Sequence, residues 1–224
     1  MPHWCAALLL PIGRDANLSS MRRLFFLLPA VCLLAAMAAL AQGPSAGRLS
    51  GRRAPGFSLM DVNYNQHDLA DYRGRVVLID FIRTDCPFCQ SFAGVAERIR
   101  TRFGDSATVL TIVNAPPDNL KTVGDFIEKH GVKNPVLFDT FQVAASYMKL
   151  APVNPQFALP HLFLIDANGQ IVNDYEYDGG NDKYFSGEGT PLMAEIEAMI
   201  NNGAKAKVDF KPSPETKKST SKKK

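Results

Sequence analysis

The sequence predicts an α/β or α+β sandwich in which helices cover both faces of a mixed central β-sheet. Three observations favour this fold class. Short runs of apolar and β-branched residues alternate with segments of helical periodicity along the middle of the chain. The last two predicted strands are joined by Asn168-Gly169, a two-residue turn typical of antiparallel hairpins. A chain of 224 residues, 46% of them hydrophobic, can also bury a core, and one domain accounts for the whole pattern.

The predicted strands and helices follow one another in a regular order. A hairpin comes first, and a strand buried on both faces then leads into a helix that begins at a cysteine. A buried strand, an amphipathic helix, a short strand and a short helix follow. A proline-containing loop leads to a second hairpin, a glycine-rich loop and a closing helix. The expected strands span 57–60, 66–69, 75–82, 108–113, 136–138, 161–166 and 170–177, the helices 86–103, 119–130, 143–150 and 191–202, and the two loops 151–158 and 179–189.

The amino-terminal segment has the features of a signal peptide. A basic pair precedes the apolar run 24–41, which ends in Ala-Leu-Ala, a small-x-small cleavage pattern. We therefore expect export to the periplasm or another extracytoplasmic space. If the run is not cleaved, it is a short membrane anchor instead. Residues 1–20 do not belong to the signal pattern and are interpreted as an upstream extension, so both Met1 and Met21 are candidate start sites.

The remaining chain divides by composition into three parts. Residues 42–53 are rich in Gly, Ser, Arg and Pro and are expected to be a flexible linker. The folded domain covers 54–204, and 205–224 form a disordered, lysine-rich tail that makes at most weak contact with an anionic membrane surface. Lys and Arg number 25 against 22 Asp and Glu, and the basic excess lies at the two ends. This distribution argues against a nucleic-acid partner.

Cysteine usage directs attention to one short motif. Cys5 and Cys32 lie in the segment expected to be removed, so the exported domain keeps only Cys86 and Cys89. At the start of a helix, unpaired backbone N–H groups stabilise a thiolate on the first cysteine. Cys86 can then attack a disulfide, and Cys89 can resolve the mixed disulfide. Zinc is disfavoured because no second ligand pair exists, and a structural disulfide across so short a loop stabilises little.

Two acidic residues near this motif admit alternative interpretations. Asp80 ends the apolar strand; if it is buried, its raised pKa suits it to accept a proton from the resolving thiol, and otherwise it is a polar strand end. Asp85 either opposes the helix dipole and raises the pKa of Cys86, or simply caps the helix. His161, which opens a later strand, is expected to face solvent rather than to bind a metal.

These residues together resemble the thioredoxin superfamily. The motifs that carry the resemblance are Asp80-Phe81, the Cys86-Pro87-Phe88-Cys89 string and Leu159-Pro160 before an apolar strand. The segments 54–59 and 69–78 look like the amino-terminal hairpin of the exported TlpA/ResA-like branch, a redoxin or AhpC/TSA-like domain. The resemblance implies a thioredoxin fold with that hairpin and with an inserted strand and helix before a cis-proline.

The resemblance also implies roles for individual residues. Cys86 is the implied nucleophile, Cys89 the resolving thiol, Asp80 the buried acid, and Pro160 the cis-proline facing the dithiol. Three positions depart from the family pattern. Asp85 replaces the usual tryptophan, Leu159 replaces a small polar residue, and Pro87-Phe88 resembles the dipeptide of glutaredoxin. Such positions tune reduction potential and partner choice.

The function expected from these observations is that of an exported thiol–disulfide oxidoreductase in cell redox homeostasis. We expect a monomer that reduces protein disulfides, receives electrons from an upstream thiol donor, and needs no cofactor or metal beyond its own redox-active Cys86–Cys89 pair. A peroxiredoxin-like peroxidase is the first alternative, although its motif would require proline and threonine where the chain has Ile79 and Arg83. A copper-handling protein that uses Cys86, Cys89 and His161 is the second.

Overall fold

The computed structural model describes residues 47–153 and 155–209, with side chains to residue 203. The predictions of a signal peptide, a membrane anchor and a start site, and the prediction of a tail beyond residue 209, lie outside the described residues. Among the described residues, no helix has the length and apolar character needed to cross a membrane.

The described part of the chain contains the predicted strands and helices in the predicted order, together with a short strand at 52–53 and a short helix at 182–185 that were not predicted. The strands are β1 Arg52–Arg53, β2 Ser58–Met60, β3 Gln66–Asp68, β4 Val76–Ile82, β5 Ala107–Asn114, β6 Val136–Asp139, β7 His161–Ile165 and β8 Gln170–Glu176. The α-helices are α1 Pro87–Phe103, α2 Leu120–His130, α3 Gln142–Met148, α4 Asp182–Phe185 and α5 Thr190–Asp209.

Six of the strands form one mixed sheet in the order β1-β8-β7-β4-β5-β6. β4 pairs in parallel with β5, and β5 in parallel with β6, whereas the pairs on the other side of β4 are antiparallel. β2 and β3 form a separate antiparallel hairpin. All seven residues of β4 are buried, as its unbroken apolar run predicts. This topology confirms the predicted fold class, including the inserted β6 and α3.

The core has three parts, and the third lies beside the cysteine motif. Side chains of β4 alternate between the two faces of the sheet, so that Leu78 packs with α1 and α5 while Phe81 packs with Tyr147 of α3. The third cluster joins the last residue of β4 and the end of β5 to α1 and α2, and it contains Cys89 and Phe126. The second cysteine is therefore part of the core.

The described end of the predicted linker differs from expectation. Arg52–Arg53 form β1 and pair with β8, and Leu49 is only 4% exposed. The Leu49 N–H donates a hydrogen bond to Asp174 Oδ1 at 2.7 Å. The flexible-linker prediction is thus corrected for residues 47–53, because a polar composition does not reveal that the edge of β8 has open pairing positions.

Two further differences concern the carboxyl-terminal third. The glycine-rich loop contains the short helix α4, whose Phe185 is 1% exposed and packs edge-on against Phe92. The closing helix continues to Asp209, beyond the predicted domain boundary at residue 204. The spacing of apolar residues predicted that this helix ends earlier, because the last of its residues that pack against the core are Met199 and Ile200.

Candidate active site

The two cysteines begin helix α1 and differ sharply in exposure. Pro87 occupies the first helical position, where its missing N–H leaves no bond unmade, and Cys86 is the N-cap in an extended conformation. Both side chains are free thiols. Cys86 is half-buried, whereas Cys89 is 1% exposed because its side of the helix packs against the core. One sulfur is therefore open to a partner, and the other is enclosed.

Asp80 lies in the sheet beneath this helix, with 3% of its surface exposed. It pairs with Thr111 of β5 and Leu162 of β7. Burial raises the pKa of its carboxyl well above the usual value, and a hydrogen bond from the Thr111 side chain offsets only part of this effect. Its Oδ1 atom has no hydrogen-bond partner among the described residues.

The carboxyl of Asp80 affects the pKa of the buried Cys89 thiol. Burial raises the pKa of Cys89 strongly, and a hydrogen bond with Cys86 and the nearby charge of Asp80 raise it further. Burial makes an ionised carboxylate a stronger base, so the Asp80 carboxylate can accept the proton of the Cys89 thiol and leave the negative charge on the sulfur. The arrangement can therefore deprotonate Cys89 at the moment when its sulfur is needed.

The loop before β7 approaches the exposed thiol. The Leu159–Pro160 bond is cis, and Cys86 Sγ lies 3.9 Å from the Leu159 carbonyl oxygen. Pro160 is buried, and its carbonyl accepts a hydrogen bond from the Tyr177 N–H at 3.2 Å. This cis isomer is the one that the resemblance implies for Pro160.

The residues around the cysteines are placed as follows. Phe88 is 48% exposed and stacks on Tyr177, with ring centroids 4.3 Å apart. Asp85 points to solvent and forms a 2.6 Å ion pair with Arg83. Asp85 is not the helix cap, which corrects one of its two interpretations: the cap position falls one residue later, at Cys86, with no side-chain capping bond.

An open cleft of about 630 Å³ borders the exposed thiol. Cys86 lies in its wall together with Asn114, Pro117, Phe157 and Leu159. The proline-containing loop 151–158 thus contributes to the surface around the thiol. A cleft of this kind can admit an extended segment of another polypeptide.

His161 differs from its prediction of a solvent-facing residue. It is 2% exposed, its Nε2 lies 3.2 Å from Asp174 Oδ2, and its ring stacks on Phe163. All five residues of β7 are buried. Because the strand is covered on both faces, a polar residue in it need not face solvent, and the burial of His161 could not be predicted from the strand alone. No group of three or more His, Cys, Asp or Glu side chains in residues 47–153 and 155–203 could hold a metal ion, so Cys86, Cys89 and His161 form no such group.

Sequence reasoning missed two residues that contact the cysteine loop. Asp118, at the start of α2, accepts hydrogen bonds from the backbone N–H and the hydroxyl of Thr84. These residues are 34 positions apart, so no local spacing connects them. The sequence offered one indication of a role for these residues, namely that each lies just before a predicted helix.

The difference in exposure predicts the order in which the thiols react. We expect limiting iodoacetamide at pH 7.5 to label Cys86 before Cys89 in the reduced protein, because Cys89 is buried and its pKa is raised. Peptide mapping by mass spectrometry measures the ratio, which we expect to exceed about tenfold. Equal labelling under native conditions would contradict this asymmetry, and equal labelling in guanidinium is the control.

Comparison with known proteins agrees with this geometry. The family model described as AhpC/TSA family matches residues 50–173, more than half of the chain. The chain is similar to the thiol-disulfide oxidoreductase ResA of Geobacillus kaustophilus, at 29% identity over 54% of this chain and 66% of that protein. The alignment thus spans just under two thirds of that relative. A Mycobacterium tuberculosis protein named as a putative peroxiredoxin is 31% identical over 54% of this chain and 81% of its own length.

Solved structures show the same fold. A thiol:disulfide interchange protein of the thioredoxin family from Chlorobium tepidum superposes with a TM-score of 0.55 at 18% identity, covering 71% of this chain and 99% of that one. This likeness supports the architecture alone. The family match and the ResA relatives confirm the resemblance predicted from the motifs: the chain belongs to the AhpC/TSA family, within the thioredoxin superfamily.

Proposed function

We propose that this protein is a thiol–disulfide oxidoreductase that reduces disulfides in other proteins with its Cys86–Cys89 dithiol. The observation that carries the proposal is the asymmetry of the pair: one half-exposed thiol in an open cleft, and one buried thiol beside the buried carboxyl of Asp80. The names of its ResA relatives agree with this activity.

The reaction proceeds in two exchanges. The thiolate of Cys86 attacks one sulfur of a substrate disulfide; a new S–S bond forms, the substrate S–S bond breaks, and the leaving sulfur takes the electron pair and then a proton. Cys89 Sγ next attacks Cys86 Sγ, which releases the second substrate sulfur as a thiol. The substrate disulfide is reduced to two thiols, and the protein dithiol is oxidised to a Cys86–Cys89 disulfide.

Asp80 has its role in the second exchange. The Cys89 thiol is a poor nucleophile while it keeps its proton, and its pKa is raised by burial. Asp80 lies near it, and because burial raises the pKa of its carboxyl, its carboxylate is a stronger base than that of an exposed aspartate. It accepts the Cys89 proton as the sulfur attacks.

The cellular setting of the proposal comes from the sequence. The apolar run 24–41 and its cleavage pattern favour export, where disulfides in protein substrates are available. Continued reduction requires an upstream thiol donor, which returns the oxidised pair to the dithiol. The pair itself is the only redox group that the reaction uses, and the proposed protein acts as a monomer.

A peroxidase is the second candidate, favoured by the Mycobacterium tuberculosis relative that carries a peroxiredoxin name. In that reaction the Cys86 thiolate would attack one oxygen of hydrogen peroxide, breaking the O–O bond and releasing hydroxide to give a sulfenic acid. The Cys89 thiol would then displace water from that sulfenic acid to form the disulfide. The chain has Ile79, buried in β4, and Arg83, exposed at the cleft, where the peroxidase motif has proline and threonine. Peroxide activation therefore has less support than disulfide exchange.

The two candidates are separated by one pair of assays. The exported domain, reduced and freed of excess thiol, is mixed with either a disulfide-containing protein or hydrogen peroxide. We expect it to reduce the protein disulfide at least about tenfold faster per thiol than dithiothreitol, with oxidation of both cysteines. Titration in glutathione buffers gives the potential of the pair, which we expect to be more negative than about −200 mV.

The outcome of these assays decides the proposal. Fast peroxide consumption with slow disulfide reduction would replace it with the peroxidase function. A potential above about −150 mV would make the protein an oxidant of substrate thiols and reverse the proposed direction.

A further inference from the structure

A buried carboxylate connects the loop after β5 to the turn that carries Cys86. Asp118 is 6% exposed and accepts a hydrogen bond from the Thr84 N–H at 3.3 Å. The Thr84 hydroxyl donates a second bond to the same carboxylate. Thr84 is 8% exposed and lies two residues before Cys86. Hydrogen bonds from buried donors to a carboxylate are among the stronger ones in proteins.

The turn is also held from the helix side. The Thr84 carbonyl accepts a hydrogen bond from Gln90 Nε2 at 2.8 Å. The Cys86 N–H donates to the Arg83 carbonyl at 3.2 Å, which closes the turn around Thr84. Every polar group of Thr84 therefore has a partner, and the backbone just before the exposed thiol has little freedom.

Asp118 is itself anchored. The Thr122 hydroxyl donates to Asp118 Oδ1 at 3.1 Å, and the Asp118 N–H donates to the Asn114 carbonyl at 3.1 Å. Asn114 and Pro117 line the same cleft as Cys86. The carboxylate thus fixes the Cys86 turn relative to another part of the cleft wall.

The neighbouring ion pair between Arg83 and Asp85 is exposed and does not hold the turn in the same way. Arg83 and Asp85 contact each other at 2.6 Å, but their side chains are 49% and 67% exposed. Solvent screens such pairs, and they hold a backbone only weakly. The link through Thr84 is the buried one.

We propose that Thr84 and Asp118 are a positioning pair for Cys86. Through the turn, they hold the Cys86 sulfur where it meets Cys89 and the segment before Pro160, so that attack and ring closure start from a fixed geometry. Both act through the backbone rather than on the reacting sulfur atoms. The inference rests on the proposed function, in which Cys86 is the attacking thiol. Misplacing a reacting atom by about 1 Å can slow a reaction by up to about 100-fold.

The test measures ring closure directly. Reduced protein is mixed with oxidised glutathione, which forms a mixed disulfide on Cys86 and releases one glutathione; Cys89 then closes the ring and releases the second. Acid quenching and mass spectrometry give both rates. In Thr84→Val, which removes the hydroxyl but keeps the shape, we expect closure to be about tenfold slower. Thr84→Ser, which restores the hydroxyl, should close within about twofold of the native rate.

Two controls separate positioning from other causes. Thr101→Val removes an exposed threonine hydroxyl from α1 and should leave closure unchanged. Alkylation of Cys86 by iodoacetamide, followed against pH, should be the same in Thr84→Val as in the native protein, because a small reagent approaches from solvent. If Thr84→Val does not fold, Asp118→Asn, which keeps a carbonyl acceptor for the Thr84 hydroxyl, should show a smaller loss with the same pH profile.

Three results would overturn the inference. The first is a native rate of ring closure in folded Thr84→Val, and the second is a slow rate that Thr84→Ser does not restore. The third is a shifted pH profile of Cys86 alkylation in Asp118→Asn, while Thr84→Val keeps the native profile. The last result would assign Asp118 an electrostatic role. If the native protein formed no Cys86–Cys89 disulfide with oxidised glutathione, the proposed function itself would be contradicted. Failure of the proposed function and failure of the positioning role are therefore distinguishable.

Discussion

Cys86→Ser is expected to lower catalysed disulfide reduction by about 10³-fold or more, to the rate of the uncatalysed exchange. The serine hydroxyl does not ionise near neutral pH, and Cys89 is too buried to replace the lost nucleophile. Cys89→Ser should behave differently. Its Cys86 still attacks the substrate, but the mixed disulfide is not resolved. We therefore expect a stable covalent complex, detected by non-reducing electrophoresis and mass spectrometry.

The matched control is Ser91→Ala, which removes an exposed hydroxyl from the next turn of α1. It should keep native turnover and trap no substrate. If Cys86→Ser captured substrate through Cys89 while Cys89→Ser remained active, the assignment of attacking and resolving thiols would be reversed.

Asp80→Asn is expected to slow resolution of the mixed disulfide by about 10- to 100-fold near pH 7. An amide cannot accept the Cys89 proton, so the rate should depend on direct ionisation of that thiol and rise steeply at alkaline pH. The first attack by Cys86 should be unaffected. Rapid-quench kinetics from pH 5 to 10 measures both steps. Unchanged resolution across this range would leave Asp80 a structural residue.

The same variant should be more stable than the native protein at neutral pH. The pKa of Asp80 is raised in the fold above its usual value of 3.8, so the fold prefers the protonated carboxyl. This contribution to stability is fully present below pH 3.8 and is lost as the pH rises through the folded-state pKa. Asp80→Asn avoids that loss, and we expect a gain of about 1–3 kcal/mol in the free energy of unfolding at pH 7, and little change near pH 3. Denaturant titration at both pH values checks the sign. A gain in stability combined with slower resolution would show that the kinetic defect is not misfolding.

Much of the site was predictable because its parts are local. The apolar run of β4 places Asp80 at a defined point in a strand, and four residues, Cys86 to Cys89, form one helical turn. The place of Cys86 at the head of the helix then predicts that it is the attacking thiol. The position of Leu159-Pro160 before β7 also follows from a short pattern.

The sequence could not show which distant segments meet. The contact between Thr84 and Asp118 joins the loop after β4 to the loop after β5, and it depends on the parallel pairing of these strands. The pairing of β1 with β8 and the burial of His161 against Asp174 have the same origin.

The sequence by itself determined the order of the main strands and helices, the redox motif and the place of the candidate acid Asp80, since each follows from the periodicity or chemistry of neighbouring residues. Only the tertiary structure decided how open each thiol is, which residues line the cleft, and how the Cys86 turn is held. Those properties arise from packing between segments tens of residues apart, where burial and hydrogen bonding are set by the assembled fold rather than by local spacing.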